Sequence, residues 1–222
     1  MREVENRRPL KSRSSPWAGR AAALLARAGI SPNAISATST VFAMIGAALF
    51  IASAYEPDRA RGALLLGAAL SIQLRLVCNL LDGMVAMEHA QASTSGPIWN
   101  ELPDRFADLF FLVGAGYAAS LSGVPHAEIA GWLAGAGAVT TAYVRELGRG
   151  LGFPADFSGP MAKPQRMALL TAAAVIAALE PLWQWSGQTL AIALGIIALG
   201  TLVTIARRVK TLADRLASRA PS

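Results

Sequence analysis

The chain has 222 residues, of which 54% are hydrophobic and only 15% charged, with a mean hydropathy of +0.43. A soluble domain carries about a quarter charged residues, so a soluble globular class is set aside in favour of one helical membrane domain with a short arm. The net charge of +6 does not indicate nucleic acid: the Lys and Arg residues flank apolar stretches, which suits anionic lipid headgroups.

In chain order, the arm before residue 30 has no uninterrupted apolar core followed by a cleavage site, so no signal peptide is expected. Residues 16–28 mix Leu24 and Leu25 with Arg20 and Arg27, a pattern suited to an amphipathic helix lying at the membrane interface. Ser31-Pro32-Asn33 then interrupts the chain, since proline disfavours helix in the residue ahead of it. About 20 mostly apolar residues cross a bilayer as a helix. Stretches 33–54, 63–87, 101–122, 127–147, 166–185 and 188–206 qualify. The fourth and sixth are rich in Gly and Ala, as close helix packing in lipid requires. The second and third carry Arg75, Asn79, Asp82 and Asp104, Arg105, Asp108. The expected fold is therefore an all-α membrane protein with six transmembrane helices and an N-terminal interfacial amphipathic helix. Its divisions are a cytoplasmic arm and interfacial helix over 1–32, a transmembrane domain over 33–207 and a basic cytoplasmic tail over 208–222.

Basic residues set the orientation. The arm from Arg2 to Arg27, the segment containing Arg145, Arg149, Lys163 and Arg166, and the tail containing Arg207, Arg208, Lys210, Arg215 and Arg219 are all basic. The connections near 123–126 and 186–187 carry no Lys or Arg. The positive-inside rule places both termini, and the 88–100 connection, in the cytoplasm. Trp99, Trp183 and Trp185 suit interface positions. Cys78, the single cysteine, allows no intrachain disulfide.

Ionisable side chains inside a span are costly and usually functional. Asn79 and Asp82, three apart, share one helix face. Asn100, Asp104 and Asp108, spaced by four, form a ridge on the next helix. The short connection between the two spans predicts antiparallel neighbours whose oxygen-rich faces meet near the cytoplasmic end, where hard cations such as Mg²⁺ find suitable ligands. Gly83 leaves room for a ligand beside the backbone, and Ala86 keeps that face small.

The stretch Asn79-x2-Asp82-Gly83-x2-Ala86-Met87-x8-Gly96-x3-Asn100-x3-Asp104, covering 26 residues, resembles the signature of the CDP-alcohol phosphotransferases, D-x2-D-G-x2-A-R-x8-G-x3-D-x3-D. Every spacing agrees. Asn79 and Asn100 stand where that family has Asp, and Met87 where it has Arg. The six spans, the N-terminal interfacial helix, Ser31-Pro32-Asn33 and Lys163 before the fifth span extend the similarity. The resemblance implies transfer of a phosphatidyl or related phospho group from a CDP-linked donor, CDP-diacylglycerol by preference, to an alcohol, with release of CMP. It implies Mg²⁺ or Mn²⁺, one or two ions, at Asp82, Asp104, Asn79 and Asn100, with Asp108 as a further candidate ligand. Asp104 would be the base, and Gly83, Ala86 and Gly96 would line the cytidine site. The resemblance further implies a homodimer and an inner-membrane setting in bacteria.

The two amides remove two negative charges from the ligand set. Asp108, Glu101 or Glu88 could supply an oxygen, or one ion could suffice; Arg105 or Arg75 could replace the arginine absent at Met87. Asp108 could equally form a salt bridge to Arg75 or Arg105. Arg145, Arg149, Lys163 and Arg166 suit an acceptor phosphate or simply set topology. His89 reads as a loop residue, His126 falls on the opposite side of the membrane with no supporting cluster, and Glu180-Pro181 reads as a boundary feature. Two other functions fit the same residues: a catalytically weakened or inactive nucleotide-binding homologue, and a small cation-coupled transporter. The latter predicts inverted repeats or broken helices in both halves, and the sequence has neither.

Overall fold

The computed structural model describes residues 15–88 and 94–219, with the side chain of Glu88 excepted. The basic arm from Arg2 to Arg13, Glu88 as a ligand and His89 as a loop residue therefore lie outside the described residues. Those described form helices and connections, with no strand among them.

Helix α1, Pro16–Arg27, starts on a proline, whose missing N–H costs nothing in a first turn. Its Ala18 and Ala22 are buried against Leu80, Leu81, Met84 and Val85. Helix α2, Pro32–Ser53, is capped by Ser31, whose Oγ accepts from the Ala34 N–H at 3.2 Å. Helices α3, Asp58–Glu88, α4, Gly96–Leu121, and α5, Ala127–Gly150, follow. Helix α6, Lys163–Ala177, stops eight residues before the expected end at 185, where Pro181 and a 3₁₀ turn, Glu180–Trp183, replace it. Helix α7, Gln188–Ala217, continues through most of the expected tail.

Three of these helices, α2, α3 and α7, are long and apolar enough to cross a membrane. Their outward faces carry exposed Leu66, Leu70, Ile192, Ile196, Leu199 and Leu202, side chains that lipid accommodates and water does not. Over the described residues the protein is all-helical, and these apolar helices make it an integral membrane protein.

The packing order differs from the expected antiparallel pairing of α3 and α4. Over the described residues, α2 packs along both of them, and the backbones of α3 and α4 hardly meet. Helix α4 also packs on α5, α5 on α7, and α6 on α3 and α7. Phe50, Ile72, Phe111, Leu112, Met167, Leu170 and Leu194 fill the centre. Small residues let α4 sit close: a Cβ on Gly114 would meet Ala47 Cα at 2.8 Å, and one on Gly131 would meet the Leu112 carbonyl oxygen at 2.7 Å. Long polar side chains fill the space between α3 and α4 instead, which is why short sequence separation does not make these two helices packing neighbours.

A second polar cluster lies at the opposite end of the bundle from Asp104. Glu180, fully buried, accepts from the Gly187 and Thr189 N–H groups at 2.7 and 2.8 Å and pairs with Arg61 at 2.7 Å. Arg61 also donates to Ser186 Oγ at 2.6 Å. Glu180 thus caps the start of α7, where an anion is favoured by unpaired N–H groups, and ties it to α3.

Candidate active site

The antiparallel run of helices brings the end of α3, the start of α4, the end of α5, the start of α6 and the last turns of α7 to one end of the bundle. The polar residues singled out by spacing converge there.

Asn79 and Asp82 share a face of α3. Asn79 Nδ2 donates to Asp104 Oδ1 at 2.5 Å, joining the two halves of the 26-residue stretch. Asp82 is buried, accepts from Ser36 Oγ at 2.6 Å and from the Gly83 N–H, and lies within electrostatic reach of Asp104. Its other oxygen, Oδ1, is buried yet completes no hydrogen bond. A buried carboxylate oxygen with nothing to accept from is costly, and this is where a cation or donor from outside the chain would be stabilised.

Asp104 is surrounded by cations. Arg75 Nη2 reaches Oδ1 at 3.1 Å, Arg105 Nη2 lies 3.5 Å from Oδ2, and the Lys163 ammonium hydrogen-bonds Oδ2. Asp108 has no exposure to spare: Arg75 takes Oδ1 at 3.0 Å and Arg166 takes Oδ2 at 3.0 Å. Arg75 and Arg166 are themselves buried. Asn100 is exposed, one turn before Asp104, while Gly83, Ala86 and Gly96 are half-buried. Met87, in the position of the signature arginine, is exposed. Among the described residues no three His, Cys, Asp or Glu side chains converge as a metal site.

The donor set nevertheless fits a divalent ion of the hard, oxygen-seeking kind. It offers the orphaned Asp82 oxygen, the Asp104 carboxylate and the amide groups of Asn79 and Asn100, with two formal negative charges.

Beside this site, Val144, Arg145, Gly148, Pro154, Asp156, Arg208, Thr211 and Arg215 are among the residues lining a cleft between α5, α7 and the 151–162 connection. Arg208, expected in a solvated tail, is buried and donates to the Ser158 and Thr141 carbonyls at 2.9 and 2.8 Å. Arg145 pairs with Glu101 and Glu146 and lies 5.5 Å from the Phe157 ring centre. Burial pushes the Asp156 carboxyl up. Hydrogen bonds from Ser158 and the charges of Arg208 and Arg215 outweigh that and hold it below the usual carboxylate range.

Sequence reasoning did not single out Ser36, Thr141, Asp156 or the Arg61–Glu180 pair. Glu180 carried the one available signal, an acidic residue inside a stretch read as membrane-spanning.

No family model matches the chain. It is 28% identical over 193 residues, 86% of its length, to a phosphatidylinositol phosphate synthase of Streptomyces avermitilis, of which it covers 75%. It is 32% identical over 155 residues to a bifunctional IPC transferase and DIPP synthase of Rubrobacter xylanophilus, of which it spans only 32%. The crystal structure of Mycobacterium tuberculosis phosphatidylinositol phosphate synthase in complex with manganese and citrate superposes with a TM-score of 0.74 at 19% identity, covering 88% of both chains. The same enzyme with CDP-DAG bound gives 0.74 over 89% of this chain and 94% of that one. With the unbroken spacing from Asn79 to Asp104, these likenesses support the CDP-alcohol phosphotransferase family for the chain.

Proposed function

We propose that this chain transfers a phosphatidyl group from CDP-diacylglycerol to an alcohol at the site between α3 and α4, releasing CMP. The observation that carries this reading is the contact of Asn79 with Asp104, which assembles both halves of the signature beside the unsatisfied oxygen of Asp82. In this reading the donor's nucleotide enters at the polar end of the bundle while its acyl chains stay in lipid.

The alcohol oxygen forms a bond to the phosphatidyl phosphorus. The bond from that phosphorus to the CMP oxygen breaks, and CMP leaves with the electron pair. Asp104 takes the hydroxyl proton, the alcohol entering in place of the Lys163 ammonium. Asp82 and Asp104, with the oxygens of Asn79 and Asn100, would hold a divalent ion, which when bound supplies charge neutralisation at the diphosphate. Arg75 and Arg105 provide fixed positive charge beside it. Gly83, Ala86 and Gly96 leave space for the cytidine. Asp108, with both oxygens engaged by arginine, serves to hold Arg75 and Arg166 rather than to bind metal.

The acceptor in this reading is a phosphorylated polyol. Arg145, Arg208 and Arg215 face the adjoining cleft, and planar guanidinium groups match phosphate oxygens in pairs. The first relative's name, phosphatidylinositol phosphate synthase, describes a product of that class. Six membrane crossings with both termini in the cytoplasm, α1 at the interface and a homodimer in a bacterial inner membrane complete the proposal. The basic cluster at the active-site end and the positive-inside rule support its orientation.

Purified protein given CDP-diacylglycerol, Mn²⁺ and paired polyols with and without a phosphate tests the acceptor. The expected result is faster CMP release with the phosphorylated member of each pair, and a raised KM for it in Arg215→Met. Equal rates with both members would reject the phosphorylated acceptor.

A further inference from the structure

The signature spacing is intact but its charge is not. The polar network at the α3–α4 site holds four cationic side chains, Arg75, Arg105, Lys163 and Arg166, against three aspartates, Asp82, Asp104 and Asp108. Glu101 adds a carboxylate, but it pairs with Arg145 as well as Arg105 and leaves the balance unchanged. Four aspartates at the signature positions would reverse this sign. A low-dielectric site with an excess of fixed positive charge resists each further cation strongly.

The carboxylates are also unequally free. Both oxygens of Asp108 are held by arginine, and both oxygens of Asp104 carry a cation from the chain itself. Asp82 alone keeps a buried oxygen without a hydrogen bond. Its partner Ser36 engages only the other oxygen.

We propose that this site takes one divalent ion, centred on Asp82, and that Lys163 with Arg75 supplies at Asp104 the positive charge that a second ion would otherwise bring. The inference rests on the transferase reading for its substrate, but not for its ion count. Lys163 and Arg75 are then built-in counter-charges: they pair with Asp104 in the resting protein and face the diphosphate when the donor is bound. The Asn residues at 79 and 100 belong to the same arrangement. An amide at 79 donates its N–H to Asp104, whereas an ionised carboxylate there has no hydrogen to donate and would repel Asp104.

The test is the number of Mn²⁺ ions bound per chain, read from the electron paramagnetic resonance signal of free Mn²⁺ during titration of the full chain in detergent, without donor or acceptor. The wild type is expected to bind one ion, and Asp82→Asn to weaken that binding at least about tenfold. Asn79→Asp combined with Asn100→Asp is expected to bind two. Two ions in the wild type, or none, overturns the proposal. So does a single ion whose affinity is unchanged in Asp82→Asn. The wild-type count does not depend on any variant folding. CMP release from CDP-diacylglycerol is measured on the same preparation: one bound ion without release would reject the transferase reading and leave the ion count standing, whereas two ions with release would do the reverse.

Discussion

Asp104 and Asp108 share a single guanidinium nitrogen, Nη2 of Arg75, at 3.1 and 3.0 Å. They sit one turn apart on α4, so one arginine from α3 spans the ridge, and Arg166 from α6 closes it from the other side at 3.0 Å. Three helices are fixed relative to the site by this group of charges.

Asp108→Ala therefore leaves Arg166 buried without a counter-charge and Arg75 with Asp104 alone. Removing one partner of a buried ion pair costs about 3–5 kcal/mol, and a thermal unfolding scan in detergent should show a large fall in midpoint. Mn²⁺ affinity of Asp108→Asn, in protein that remains folded, should fall less than that of Asp82→Asn, because only the charge balance changes and no ligand is lost. A loss of Mn²⁺ binding as complete as in Asp82→Asn would make Asp108 a ligand instead.

Ser36 belongs to no motif, yet its hydroxyl is the one side-chain donor holding Asp82, at 2.6 Å in a buried setting. Groups that orient a metal-binding carboxylate typically change affinity about 10–100-fold when removed. Ser36→Ala should weaken Mn²⁺ binding by about tenfold, measured by titration, with the unfolding midpoint lowered only slightly. Unchanged affinity would mean that Asp82 is positioned by its helix alone.

At the far end of the bundle, Glu180→Ala leaves Arg61 buried and two N–H groups of the α7 start without an acceptor. The expected loss is again about 3–5 kcal/mol. Mn²⁺ binding at the opposite end should keep its wild-type affinity in the folded fraction. A change there would show that the two ends are coupled.

Gly131→Ala tests the close approach of α4 and α5. The added Cβ meets the Leu112 carbonyl oxygen at 2.7 Å, a backbone atom that cannot move away alone. Overpacking of this kind costs about 1–3 kcal/mol, so the unfolding midpoint should fall. Gly150→Ala, with nothing within 4 Å of its Cβ, is the control.

What the sequence made legible was the part governed by spacing. Residues three and four apart on a helix share a face whatever the tertiary structure, so Asn79 with Asp82, and Asn100 with Asp104 and Asp108, could be grouped on paper, and the structure joins Asn79 of the first group to Asp104 of the second. Partners supplied from distant parts of the chain have no such periodic signal. Ser36 is 46 residues from Asp82 and Arg166 is 58 from Asp108, and neither pairing follows from a local rule. The pairing of α3 with α4 as packed neighbours was expected from their short connection, but the length of Arg75 and the polarity of its partners keep the two backbones apart. The early stop of α6 had its sign in Pro181. Glu180 looked like a boundary residue because its ligands, the N–H groups of the α7 start and Arg61, come from elsewhere.

The most direct measurement is CMP release by the purified chain in lipid nanodiscs containing CDP-diacylglycerol, with Mn²⁺ and a phosphorylated polyol supplied. CMP should accumulate with time, in proportion to a new phospholipid, and both should vanish in Asp104→Asn while that variant remains folded. No CMP from the wild type, or undiminished CMP from Asp104→Asn, would contradict the assignment of phosphatidyl transfer to this site.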